Sequence, residues 1–192
     1  MSTRAIISYP YRNGYKGAWV WTDGMPSHMK PILKAVANTS EKARLLVKFG
    51  NISSFMTKAQ LNSFCKSFPN TEYIHCRPFD TRAQLEKFLS NNEQYRGYLV
   101  KELRSGLCLL TDRVIANAGQ QNIDAYNRSN LYFVTEVAKD IFILQQLHHI
   151  NYKETDDVNF MYYKDVSDML SCDINHVYVF NDEKGVWCLR NG

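Results

Sequence analysis

Trp19-Val20-Trp21-Thr22-Asp23-Gly24-Met25-Pro26-Ser27 is the stretch whose reading decides the fold. Side chains alternate along a strand, so Ala18 and Val20 share one face while Trp19 and Trp21 share the other. Upstream, Arg4 to Tyr9 is a second short, β-branched run. Pro10-Tyr11-Arg12-Asn13-Gly14 separates it from Tyr15–Trp21. Asn-Gly tolerates positive φ and predicts a turn, so the two runs form an antiparallel hairpin. Asp23-Gly24 ends the second strand. Ser27 is the expected N-cap of a helix in which Met29, Ile32, Leu33 and Val36 recur on one face. Pro31 belongs in or beside the first turn. Ser40 is read as the cap of a second helix, with Leu45, Leu46 and Phe49 inward and Gly50 as its left-handed stop.

Outward from this opening, Thr57-x-x-Gln60 and Thr81-x-x-Gln84 are capping-box patterns that start two further helices. Glu72 to Cys76 reads as a strand. Tyr98–Leu103 and Leu107–Thr111 read as a hairpin around Arg104-Ser105-Gly106, with a helix through Leu103 as the alternative. Residues 116–130 are amide-rich and predict a loop. Leu131 to His149 predicts the longest helix, with Leu131, Val134, Ala138, Ile141 and Gln145 on one stripe. Lys153 to Asn159 is an acidic linker, Phe160 to Tyr163 a short strand and Asp165 to Leu170 a short helix. His176–Phe180 and Val186–Arg190 close the chain as a hairpin. The fold class expected is α+β: one domain over 1–192, with an antiparallel sheet from the N- and C-terminal hairpins. Helices pack on one face, and residues 57–172 elaborate that nucleus.

Several of these features resemble a family of small uncharacterised bacteriophage proteins. They are Met1-Ser2-Thr3-Arg4 entering a strand, the strand-terminal Asp-Gly-x-Pro, Lys42–Ser54 with Phe49-Gly50-Asn51-Ile52-Ser53-Ser54, and the closing Val177–Phe180 with Gly185-Val186-Trp187. The resemblance covers residues 1–56 and 173–192. Many members carry a histidine two residues before the aspartate, where this chain has Trp21. The resemblance implies a phage accessory protein in a bacterial cytoplasm and supplies no activity.

The chain has 192 residues and net charge +4, with 45% hydrophobic and 22% charged residues. That length buries a core without disulfides or metal. The charge is uneven. Residues 1–50 hold eight Lys/Arg against two acids, and residues 151–192 hold four against eight. The basic quarter favours an acidic partner, unless the acidic C-terminal hairpin packs beside it and neutralises it. Five widely spaced cysteines without a C-x-x-C fit reduced thiols in a cytosol rather than a zinc site. No apolar run approaches a membrane span.

Candidate chemistry gathers in the opening. Arg4, Trp19, Trp21, Asp23, Gly24 and Ser27 form a candidate ligand site: indoles stack on a base, arginine pairs with phosphate, and a carboxylate takes base or ribose hydrogens. The alternative is that both indoles lie beneath a helix as core. Lys30, Lys34 and Arg44, with Lys42 and Lys48, line a basic face suited to a protein partner. A hydrolase using Ser2 as an N-terminal nucleophile is a third reading. No phosphate-loop, dinucleotide, nucleophile-elbow or metalloprotease motif occurs, and His148-His149 has no ligand partners at metal spacing. No catalytic residue, cofactor or metal is assigned. DNA is disfavoured because no helix carries a dense Lys/Arg stripe. The leading expectation is a non-enzymatic phage protein that binds a host bacterial protein and blocks it, plausibly in antiviral defence. A nucleotide or signalling-molecule binder is the alternative.

Overall fold

The computed structural model describes residues 2–114, 131–146 and 162–191. Strands β1 (Ala5–Tyr11) and β2 (Gly14–Val20) form the expected hairpin, with Ala5 opposite Val20 and Tyr11 opposite Gly14. The reversal falls one residue earlier than the Asn-Gly signal predicts. Arg12 takes the positive φ of 54° and Gly14 opens the second strand. Gly14 is needed there for space, because a Cβ would collide with the Tyr163 carbonyl of a neighbouring strand.

The two sequence-terminal hairpins share one sheet. β1 runs parallel to β10 (His176–Asn181), pairing Ala5 with His176 and Ser8 with Val179. β11 (Val186–Leu189) is antiparallel to β10, and β9 (Tyr162–Tyr163) is antiparallel to β2. This sheet, sheet A, has the order β11-β10-β1-β2-β9.

Helices α1 (Pro26–Val36) and α2 (Ser40–Lys48) cover one face of it. Met29, Ile32, Leu33 and Val36 are buried, as their spacing predicts. The caps differ from expectation. The N-cap of α1 is Met25, two residues before Ser27, and the helix starts at Pro26. The fixed φ and missing N–H of proline suit that position, so Ser27 lies inside the helix rather than capping it. In α2 the cap is Thr39, whose Oγ1 accepts from the Lys42 amide. Ser40 instead donates to Asp182 at 2.6 Å.

Sheet B consists of β3 (Ser54–Thr57), β4 (Glu72–Phe79), β5 (Tyr98–Glu102), β6 (Cys108–Val114), β7 (Leu131–Ala138) and β8 (Ile141–Gln146), ordered β3-β8-β7-β4-β6-β5. Its inner face supplies Phe55, Leu109 and Ile143, and the β5–β6 connection adds Leu107, to the core that α1 and α2 share with sheet A. Helices α3 (Lys58–Ser67) and α4 (Arg82–Asn91) cover its outer face. Thr57 and Gln60 complete the capping box of α3, and the Thr81 side chain accepts from the Gln84 amide at the start of α4.

The expected helix over Leu131–His149 is overturned. Residues 131–146 are the β7–β8 hairpin, turning at Lys139-Asp140 with Asp140 at φ 59°. Leu131 and Phe133 face one side and Tyr132 and Val134 the other, each against apolar neighbours. A strand buried on both faces reads as a continuous apolar run, which periodicity does not separate from a helix. The β-branched and aromatic content of Tyr132-Phe133-Val134-Thr135 is the signal that favours strand. The expected loop at 116–130, the acidic linker at 153–159 and His148-His149 lie outside the described residues.

Asn51-Ile52-Ser53 joins the two sheets. The Ile52 amide donates to Trp19 O at 2.8 Å and the Trp21 amide to Ile52 O at 3.0 Å, while the Ser53 amide donates to Leu144 O at 2.8 Å. Gln145, fully buried, donates from Nε2 to Phe49 O at 2.9 Å and Asn51 O at 2.8 Å.

Candidate functional site

Strand alternation places the residues of the expected site on two different faces of sheet A. Trp19 lies opposite Ile6 and packs in a cluster with Tyr163, Val177 and Met169. Met169 belongs to the short helix α5 (Val166–Leu170), capped by Asp165, on the side away from α1 and α2. The indole rings of Trp19 and Trp21 sit 5.1 Å apart at 42°. Trp19 Nε1 donates to the Tyr163 hydroxyl at 3.0 Å, and burial pushes that phenol up to about 12. Arg4 lies over the Trp21 ring at 5.5 Å and binds Asp173 at 3.0 Å. Arg4, Trp19 and Trp21 therefore do come together, as a stack fastened by the chain's own residues.

The remaining expected ligand residues play local roles. Asp23, at φ 58°, accepts from Ser54 Oγ at 3.3 Å. Gly24 is a close-approach position: its amide donates to Thr3 O, its carbonyl accepts from the buried Tyr178 hydroxyl at 2.8 Å, and a Cβ would stand 2.7 Å from the Ala5 Cβ. Ser27 is exposed on α1.

The expected partner residues occupy the opposite side. Lys30 and Lys34 are exposed on α1, and neither pairs with a carboxylate among the described residues. Arg44 of α2 lies 5.7 Å over the Tyr9 ring and 3.9 Å from Asp182.

Arg44 leads to a cluster that the sequence reading missed. Tyr9 and Tyr11, two apart on β1, meet edge-on at 6.3 Å. Lys16 stands directly opposite Tyr9 across the hairpin, and its Nζ lies 5.4 Å over the Tyr11 ring. Arg12, in the turn, lies 5.2 Å over the same ring. Burial raises the Tyr9 hydroxyl above its ordinary range, partly countered by Arg44. The available signal was Tyr-x-Tyr on a strand facing a basic residue. Pairing Lys16 with Tyr9 needs the register, which the displaced turn sets.

Elsewhere, a shallow apolar hollow of about 390 Å³ on α3 is lined by Met56, Phe64 and Phe68, the last 52% exposed. Burial raises the thiols of Cys65, Cys76 and Cys108, which makes them poor nucleophiles. Among the described residues no group of three or more His, Cys, Asp and Glu is placed to hold a metal ion, and no helix is long and apolar enough to cross a membrane. No protein-family model, no curated protein and no solved structure matches this chain.

Proposed function

We propose that this chain is a phage accessory protein that acts in the bacterial cytoplasm by binding and blocking a host protein, a component of antiviral defence. The supporting observation is the fate of its basic first quarter. The acidic C-terminal segment reaches Arg4 through Asp173 and Arg44 through Asp182, and Lys48 pairs with Asp80. Arg12, Lys16, Lys30, Lys34 and Lys42 keep no carboxylate partner among the described residues. An unneutralised surface field draws in an acidic partner and speeds its docking.

Nucleotide binding has less support. The Arg4 guanidinium that would meet a phosphate is committed to Asp173 and Trp21, and the Trp19 ring nitrogen to Tyr163. The test is capture from a host lysate by the immobilised protein at about 0.15 M salt, where surface charge still acts over roughly 8 Å. One host protein retained in stoichiometric amount, inhibited when bound and released by higher salt, is expected. Absence of such a species refutes the reading. A thermal-shift screen with linear and cyclic nucleotides gives the rival outcome: stabilisation abolished by Trp21→Ala would transfer the function to nucleotide binding.

A further inference from the structure

The turn end of the β1–β2 hairpin carries Arg12 and Lys16, which make no ion pair among the described residues. Arg12 and Lys16 both rest on the Tyr11 ring, at 5.2 and 5.4 Å, and Arg44 rests on Tyr9 at 5.7 Å. A ring face attracts a cation and restricts its rotamers, yet leaves the charge uncompensated. Long basic side chains ordinarily lose rotamer freedom when they meet a partner, and here part of that loss is already incurred. Among the described residues, Asp182 lies 3.9 Å from Arg44 and is also tied to Ser40.

We infer that Arg12, Lys16 and Arg44, seated on Tyr9 and Tyr11, form the contact surface for an acidic segment of a partner protein. This deepens the reading of the chain as a protein binder and rests on it. Charge complementarity selects an acid. Two features select a protein segment over a nucleic acid. Tyr9 is only 8% exposed and the Tyr11 ring already faces two cations, so the rings serve as seats for charge and not as stacking surfaces for bases. Asp182 and Glu183, both exposed in the adjoining β10–β11 turn, repel a continuous phosphate backbone but leave room for a few discrete carboxylates. On docking, a partner carboxylate takes over Arg44 from Asp182.

The experiment is fluorescence anisotropy at low salt with two labelled probes, a glutamate oligopeptide and an oligothymidylate of equal length. The full-length protein is expected to bind the peptide more tightly. Arg12→Gln with Lys16→Gln should weaken the peptide about fivefold, from the loss of one exposed and one half-buried charge contact. Asp182→Asn, which keeps the shape of its Ser40 acceptor, should strengthen it about twofold to threefold by freeing Arg44. Lys30→Gln with Lys34→Gln should change it by less than about twofold. Unchanged Tm confirms that each variant is folded. If the α1 pair and not the hairpin pair controls the peptide, this surface is refuted while the protein-binding reading stands. Tighter thymidylate binding overturns the inference in favour of nucleic acid. No peptide binding by the wild type also overturns it, and the lysate capture then decides the broader reading independently.

Discussion

Replacing Gln145 with leucine tests whether a single side chain fastens the two sheets together. Gln145 is fully buried on β8, and its Nε2 donates to Phe49 O at 2.9 Å and Asn51 O at 2.8 Å. Leucine has comparable volume but no donor, so both carbonyls lose their partner, at about 1–3 kcal/mol for each buried group. An offset exists, because Gln145 Oε1 has no hydrogen-bond partner among the described residues and its burial already costs about 1–2 kcal/mol. At the middle of each range the net loss is about 2–3 kcal/mol, which for a chain of this size lowers Tm by roughly 5–10 °C. Gln145→Glu should be worse than leucine, since it turns a carboxylate toward the same two carbonyls. Differential scanning calorimetry gives Tm. Tryptophan emission reports the junction directly, because the Asn51 side chain accepts from the Trp19 amide at 3.2 Å. A Tm within about 1 °C of wild type for Gln145→Leu would refute the idea that this junction is held by those bonds.

Three further outcomes are expected. Asp140→Gly should leave stability unchanged or raise it by up to about 1 kcal/mol in urea denaturation, because Asp140 sits at φ 59° in a hairpin turn; were 131–149 a helix, the same change would instead lower stability by about 0.3 kcal/mol. Gly24→Ala should destabilise by about 1–3 kcal/mol, since its Cβ meets the Ala5 Cβ at 2.7 Å and the Thr3 carbonyl at 2.9 Å, and a double-mutant cycle with Tyr178→Phe should show coupling through the hydrogen bond to Gly24 O. Burial pushes the phenols of Tyr73, Tyr163 and Tyr178 from 10.0 up to about 12. Between those values the unfolded chain releases protons that the folded one retains, so stability is full below pH 10 and falls as pH rises toward about 12. Urea titrations across that range, with phenolate absorbance as a second readout, check the sign.

The hairpin nucleus was legible because its faces differ in chemistry. Ala18 and Val20 are small and apolar against the core, while Trp19 and Trp21 turn to the other side with Arg4 and Tyr163. Met29, Ile32, Leu33 and Val36 are legible for the same reason, one buried stripe on an otherwise exposed helix. β7 and β8 were not, since residues apolar on both faces carry no period to separate strand from helix. The caps failed locally: proline at the first helical position took the start that Ser27 signalled, and Thr39 took the position expected of Ser40. The pairing of Trp19 with Trp21 followed from alternation along one strand, and Arg4 joins Trp21 from the β1 side. The tie of Arg4 to Asp173 did not follow from it, nor did the Tyr9–Tyr11 cation cluster, because each depends on a pairing made across space. Arg4 and Asp173 meet through the parallel β1–β10 contact, and Lys16 stands opposite Tyr9 through a register that a one-residue shift of the turn would undo.

That parallel pairing also governs the order of events at the ribosome. The Arg4 amide reaches Asn175 across 171 residues of chain, so one side of β1 waits for its partner through almost the whole of synthesis. At about 5–20 residues per second the wait is on the order of ten to thirty seconds. Meanwhile the nascent hairpin presents a bare row of backbone donors and acceptors to any passing strand. Newly made protein should thus depend on a holding chaperone more than its finished stability would suggest, and circular permutants that bring β10 next to β1 in sequence should acquire their structure sooner.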